Sequence, residues 1–397
     1  MYNVHSVLQA NMSTSEFASA SPYSQGKQIP HITDFKYKEY LLSAGLHTLS
    51  NKYAVNVPED LKVVNVALFA LGRAGSFHLT NIMKSSRICL KYLVESDTDK
   101  LLRAKAEWRL PESVLLFPDE ADRVFQDPSV HGVIIATPTF MHKDLIIRGL
   151  SAGKAVFCEK PIAEDIKGTR QCYEVAEKVG KPLMCGFNRR FDPSFSHLRD
   201  QVLLGVVGQV QLVKTVARDS PLPSIEYLKI SGGIFHDCAV HDVDLICWVT
   251  GEYPTHVFAS ATAFIPEVAA INDHDTVAFT MKFPSGTISM TDLSRYAAYG
   301  YDQRLEVFGP KGMVASGNER PYQMTTSTVQ GESQPPILHS FPSRYYDGYI
   351  NELNHFCDVI QGLVDLQLSG ENTLKVSTIA TALEESAATG QMIEIKY

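Results

Sequence analysis

The sequence predicts two folded units in tandem: an α/β domain on a parallel sheet, then an α+β domain with a large, mostly antiparallel open sheet. Three observations carry this. Short apolar, β-branched runs alternate with helical patterns from residue 63 to residue 186, the arrangement of βαβ units. After about Asn188, strand-length runs of alternating polarity follow one another with only turns between them, as antiparallel strands do. A length of 397 residues suits two domains and a tail.

Residues 1–61 read as an N-terminal extension, partly disordered. Residues 1–29 are rich in Ser, Tyr, Asn and Ala with no period. They lack the apolar core of a secretory signal, and the first arginine of the chain is Arg73, which does not suit a mitochondrial transit peptide. Residues 37–49 suit one helix, weakened by Gly45. The α/β domain is expected over residues 62–187. Its strands fall at 63–69 (VVNVALF), 88–94, 133–136, 155–158 and 183–186, with helices at 76–84, 141–152 and 169–179. Gly153 and Gly180 close the last two helices. The α+β domain spans residues 188–397. It has helices at 194–204 and 235–250, strands at 210–218, 256–264, 275–283, 287–294 and 303–308, and closing helices near 349–361 and 375–389.

Composition narrows the function classes. Apolar residues make up 45% and charged residues 20%, an ordinary folded balance. The formal net charge is −8 with no long basic run, which argues against nucleic acid. No apolar stretch approaches the roughly 20 residues that span a bilayer. Seven cysteines, none in a CxxC pair, suit neither a disulfide framework nor a structural zinc. Reduced thiols in the cytoplasm are expected.

The turn after the first strand reads FALGRAG, residues 69–75. It is a degenerate form of the G-x-G-x-x-G dinucleotide fingerprint, with Ala70 at the first glycine. Gly72 lets a pyrophosphate approach, Gly75 lets the helix pack on the strand, and Leu71, Arg73 and Ala74 complete the turn. The helix N-terminus supplies N–H groups and a positive dipole end. An acidic residue is expected about 20 positions on. Glu95 stands there with Asp97 close behind, and no arginine follows until Arg103. A carboxylate there binds the adenosine ribose and repels a 2′-phosphate, so NAD is favoured over NADP. The expectation is a Rossmann domain.

A second constellation carries reaction chemistry. Glu159-Lys160-Pro161 ends a strand of the first domain, on the side where ligands bind in such sheets. On a helix, Asp237 and His241 are four apart and share a face, with Asp244 one turn further along. Oxidation of a secondary alcohol needs a base, and a histidine suits that role. Asp237 is expected to orient His241, and Lys160 to polarise the carbinol oxygen. His236, Asp237, Cys238, His241 and Asp242 are also potential metal ligands. However, His236 and Cys238 point away from the Asp237–His241 face, and there is no HExxH, so no metal is expected.

Taken together, FALGRAG, IATPTFMH (135–142), CEKP (158–161), CGFNRRFDP (185–193), GGIFHDCAVHDVD (232–244) and YGYD (299–302) resemble the Gfo/Idh/MocA oxidoreductase family, inositol dehydrogenases above all. The resemblance runs from about Val63 to the C-terminus. It implies Lys160, Asp237 and His241 as catalytic residues. It implies Arg189, Asp244 and Tyr345 as substrate contacts, and Thr137, Pro138, Thr139, His142, Glu159 and Asn188 beside the cofactor. It further implies a cyclic polyol or sugar substrate and a homo-oligomer, dimer or tetramer, formed through the C-terminal sheet. A non-catalytic NAD-binding regulator on the same fold and a metal-dependent hydrolase are the competing readings.

Overall fold

The computed structural model describes residues 63–397. The N-terminal extension and the helix expected at 37–49 lie outside them.

The first domain holds a six-stranded sheet. Its strands are β1 (Val64–Phe69), β2 (Ile88–Val94), β3 (Leu115–Leu116), β4 (Gly132–Ile135), β5 (Ala155–Glu159) and β6 (Leu183–Gly186). They run parallel in the order β3-β2-β1-β4-β5-β6. This is the doubly wound order, whose ligand crevice opens where the order reverses, between β1 and β4. Strands β4 and β6 are buried along their whole length, which explains why they read as unbroken apolar runs. Helices Arg73–Lys84, Thr98–Trp108, His142–Ser151 and Ile166–Val179 cross between strands. The sequence reading passed over Thr98–Trp108, whose polar outer face hides a stripe of only Leu101 and Ala104.

The second domain holds a seven-stranded sheet. Its members are β7 (Leu212–Arg218), β8 (His256–Thr262), β9 (Thr276–Lys282), β10 (Ile288–Ser294), β11 (Asp302–Gly309), β12 (Gly312–Ser316) and β15 (Ile393–Glu394). The order is β12-β11-β7-β10-β9-β8-β15. Only β7 and β10 pair in parallel. The remaining pairs are antiparallel. A small hairpin of β13 (Thr326–Thr328) and β14 (Gly331–Ser333) stands apart. Burial alternates along β9, with Val277, Phe279 and Met281 inside and Ala278, Thr280 and Lys282 outside. Helices Val240–Thr250 and Gly370–Thr389 cover the inner face.

One late helix joins the two units. Tyr346–Ile360 sends Leu353, Phe356 and Cys357 into the core beneath the first sheet. Arg87, just ahead of β2, pairs with Asp358 at 2.5 Å. The sequence divides near residue 188, but the packing does not.

Candidate active site

The C-terminal ends of β1, β2, β4, β5 and β6 face the second domain across one cavity of about 1760 Å³. Its lining joins the dinucleotide turn, the loops after β4 and β5, and the segment that carries Asp237 and His241.

At the cofactor end, Ala70 adopts φ +73°, the left-handed conformation that glycine adopts freely. A β-carbon on Gly75 would sit 1.9 Å from the Ala70 carbonyl oxygen, so only glycine fits there. A β-carbon on Gly72 would meet nothing nearer than the Ala136 oxygen at 3.9 Å. Space is therefore left above Gly72 for a ligand. The helix Arg73–Lys84 begins with no side-chain cap, which leaves its first N–H groups open to an anion. The Thr137 hydroxyl and the Asn188 amide nitrogen are buried without hydrogen-bond partners among the described residues. These features fit a dinucleotide.

Glu95 lines the cavity, but its carboxylate is engaged. One oxygen accepts the Leu71 N–H at 2.5 Å, and the other accepts the Ser96 and Asp97 N–H groups at 2.8 and 3.0 Å. Burial pushes its pKa up, yet the N–H donors of Asp97 and Leu71 hold it below the usual carboxylate value.

Three of the expected cofactor residues do not line the cavity: Leu71, Gly75 and Asp97. Leu71 serves through its N–H and Gly75 through its missing side chain. Asp97 caps the helix Thr98–Trp108 by accepting the Asp99 and Lys100 N–H groups, so its charge is used there. Ser96 and Lys100 line the cavity instead. His142 does line it, but both ring nitrogens lie against carbonyl oxygens, Pro161 at 2.7 Å and Thr137 at 2.8 Å. It binds two loops together and has no ring nitrogen left for a cofactor. Glu159 meets the buried His78 at 2.7 Å.

At the reaction end, the Lys160 ammonium donates to the Asp237 carbonyl at 2.7 Å and to its carboxylate at 2.9 Å. Tyr227 donates to the same carboxylate oxygen at 2.8 Å. Fully buried Arg295 donates to the other oxygen at 2.9 Å. Burial would raise Asp237, but the charges of Lys160 and Arg295 hold it far below the usual range. Burial would lower Lys160, but Asp237 raises it well above its ordinary value. Both are therefore charged. His241 is the reverse case. Burial drives it well below 6.5, Lys160 and Arg189 push the same way, and only Asp237 opposes. The ring is neutral, and its Nδ1 has no hydrogen-bond partner among the described residues.

Two expectations fail here. Asp237 does not orient His241. Residues Phe235–Ala239 form a π-turn ahead of the α-helix, so the i,i+4 face is lost and Lys160, Tyr227 and Arg295 take Asp237 instead. Asp244 does not reach the cavity, because Arg190 holds it in a buried two-pronged pair at 2.8 and 2.6 Å. Arg189, Asn188 and Tyr345 do line the cavity, with Arg189 paired to Asp242 at 2.9 Å.

The sequence reading missed Asp219, Tyr227, Tyr301 and Arg295. Asp219 follows the end of β7 and lines the cavity. Among the described residues its carboxylate meets only the Cys238 thiol, at 3.7 Å. Burial and the nearby Asp237 push it up to about 6, against Arg189 and Arg295. A carboxylate at a strand end beside the second-domain turn was the available signal. Arg295 had none, since only the fold carries it from the end of β10 to Asp237. Among the described residues no three His, Cys, Asp or Glu side chains group as a metal site.

A parallel doubly wound sheet with an open dinucleotide turn, facing a lysine and a neutral histidine across one cavity, defines a dinucleotide-linked oxidoreductase. Comparison with known proteins places it further. Residues 64–187 match the oxidoreductase family with an NAD-binding Rossmann fold, Gfo/Idh/MocA, and residues 195–315 match the Gfo/Idh/MocA C-terminal domain. The chain is 39% identical to inositol 2-dehydrogenase of Rhizobium meliloti over 69% of its own length and 83% of the relative's. It is 31% identical to myo-inositol 2-dehydrogenase of Thermotoga maritima over 84% and 99%. The crystal structure of scyllo-inositol dehydrogenase from Lactobacillus casei with bound NAD(H) and scyllo-inositol superposes with a TM-score of 0.77. It is 27% identical and covers 84% of this chain and 99% of that one. The chain belongs to the Gfo/Idh/MocA oxidoreductase family and is an NAD-dependent dehydrogenase.

Proposed function

We propose that the chain oxidises a secondary alcohol of a cyclic polyol or sugar, myo-inositol or a close relative, to the ketone. The observation that carries this is that Lys160, held by Asp237, and His241 line the same cavity as the dinucleotide turn. NAD supplies the hydride acceptor when bound. Gly72 and the uncapped helix end would hold its pyrophosphate, Glu95 its ribose, and Thr137 and Asn188 its nicotinamide end. Lys160 binds the carbinol oxygen and stabilises the negative charge that grows there. His241 takes the hydroxyl proton. Asp237 anchors the ammonium rather than the imidazole. Asp219, Arg189 and Tyr345, which line the cavity, would meet the remaining hydroxyls. The names of the inositol-oxidising relatives support the polyol. A non-catalytic regulator has no need of this lysine and histidine.

The outer face of the second sheet supports self-association. Phe308, Leu212 and Ile288 stand in one cross-strand row, with Met290 and Phe258 in the next. Phe308, Ile288, Met290 and Phe258 are exposed, as in an interface that a second copy covers. Seven free thiols suit a reducing, cytoplasmic setting.

The test is initial-rate NAD reduction against a panel of inositols and sugars. The wild type should turn over at least one of them. Lys160→Ala should lose on the order of 10²–10⁴ in kcat while keeping NAD affinity. A variant with full turnover would reject the assignment of Lys160.

A further inference from the structure

Arg73 opens the helix behind the dinucleotide turn, next to Gly72. No carboxylate pairs with it among the described residues. Its guanidinium lies over two rings instead, Phe341 at 4.6 Å and Tyr227 at 5.5 Å. A phosphate seated at that helix N-terminus would lie near this charge. Tyr227 comes from the other domain, on the short helix Ile225–Leu228. Its hydroxyl donates to the Asp237 oxygen that also receives the Lys160 ammonium. Burial pushes the phenol up, Lys160 pulls it down and Asp237 raises it; the net shift is upward, so the hydroxyl remains a donor. Arg73, Lys160, Tyr227 and Asp237 line the same cavity.

We propose that Tyr227 is a positioning residue that couples the cofactor seat to the catalytic lysine: its ring receives Arg73 from the first domain, while its hydroxyl fixes the Asp237 carboxylate that holds Lys160. The turnover half of this inference rests on the alcohol oxidation proposed above. Two parts of one side chain then serve two separable steps. The ring contributes to NAD affinity, and the hydroxyl contributes to turnover. A merely structural tyrosine would not divide its effects in this way.

The experiment uses the full chain. NAD affinity is measured by calorimetry without polyol, and kcat is measured on the best polyol of the panel. Tyr227→Phe keeps the ring and should lower kcat roughly tenfold. It should leave the Kd for NAD unchanged within about twofold, the lower end of a surface cation–π contact. Tyr227→Leu should show the same loss of kcat and also weaken NAD by about two- to fivefold, the range of that contact. Arg73→Met should weaken NAD in the wild type and do so less in the Tyr227→Leu background, a non-additive cycle. Wild-type kcat in Tyr227→Phe overturns the role of the hydroxyl. Strict additivity of Arg73→Met and Tyr227→Leu in NAD affinity overturns the role of the ring. If Tyr227→Leu does not fold, Arg73→Met is repeated on Tyr227→Met, judged by the same additivity. Failure of every polyol rejects the proposed reaction instead, and the calorimetric arm still decides the ring.

Discussion

At the scale of single residues, the charge states in the cavity assign the roles. A histidine near pKa 6.5 would have given activity an inflection close to neutrality. The burial of His241 and its two cationic neighbours move that transition well below. Asp219 is instead pushed up to about 6 by burial and Asp237, into the accessible range. One unit lower, such a carboxyl is only about a tenth ionised, and a proton removes acceptor capacity for substrate hydroxyls. The KM for the polyol should therefore rise about tenfold between pH 7 and pH 5 at saturating NAD. Asp219→Asn should flatten that rise, and an unchanged profile in the variant would clear Asp219 of the role. Cofactor choice belongs to this scale too. Asp97 spends its charge on a helix cap while Ser96 lines the cavity beside Glu95. Glu95→Ser with Ser96→Arg should turn the preference toward NADP by more than tenfold in kcat/KM, since an arginine supplies the charge that a 2′-phosphate needs. The same change made at Asp97 should do less and should also fray the helix Thr98–Trp108.

At the scale of elements, two local conformations matter most, and the sequence disguises both. Ala70 holds a left-handed conformation that costs a non-glycine residue roughly 1–2 kcal/mol. Ala70→Gly removes that strain but gives back part of it as chain entropy. The expected net gain is about 0.5–1 kcal/mol, read as a higher melting temperature with NAD binding intact. A variant no more stable than the wild type would mean that the turn carries no strain. The other conformation is the π-turn Phe235–Ala239. Helical periodicity places Asp237 over His241, and the structure instead delivers Asp237 to Lys160. A wider turn leaves almost no trace in a pattern of apolar residues, and Phe235 and Ala239, four apart, are both buried here. Arg295 then clamps the turn by bridging Asp237 and Asp273, whose carboxylate also caps the Ile234 N–H.

At the scale of the whole molecule, the second sheet presents helices on one face and bare strands on the other. Four large apolar side chains on that bare face, Phe258, Ile288, Met290 and Phe308, have no covering element among the described residues. Ile288→Glu with Met290→Glu should leave the fold intact, since both residues are exposed, and should shift the protein to monomers in analytical ultracentrifugation. An unchanged oligomer, or a wild type already monomeric, would refute association through this face. The helix Tyr346–Ile360 makes the two domains one packed body, and the cavity lies between them.

The pattern of residues alone determined the parallel sheet, the alternating strands of the second domain, the dinucleotide turn and the presence of Lys160, Asp237 and His241. Each of these depends on contacts within a few tens of residues, or on a periodicity that burial on one or two faces imposes. Only the tertiary structure decided which charges meet. Asp237 found Lys160, Tyr227 and Arg295 rather than its helical neighbour, and Asp244 went to Arg190. Asp219 was left in the cavity, and among the described residues its carboxylate accepts only from the Cys238 thiol. Ion pairing and burial act through space, between segments 77 positions apart for Lys160 and Asp237 and 271 apart for Arg87 and Asp358, and no local pattern records the distance that makes one partner win.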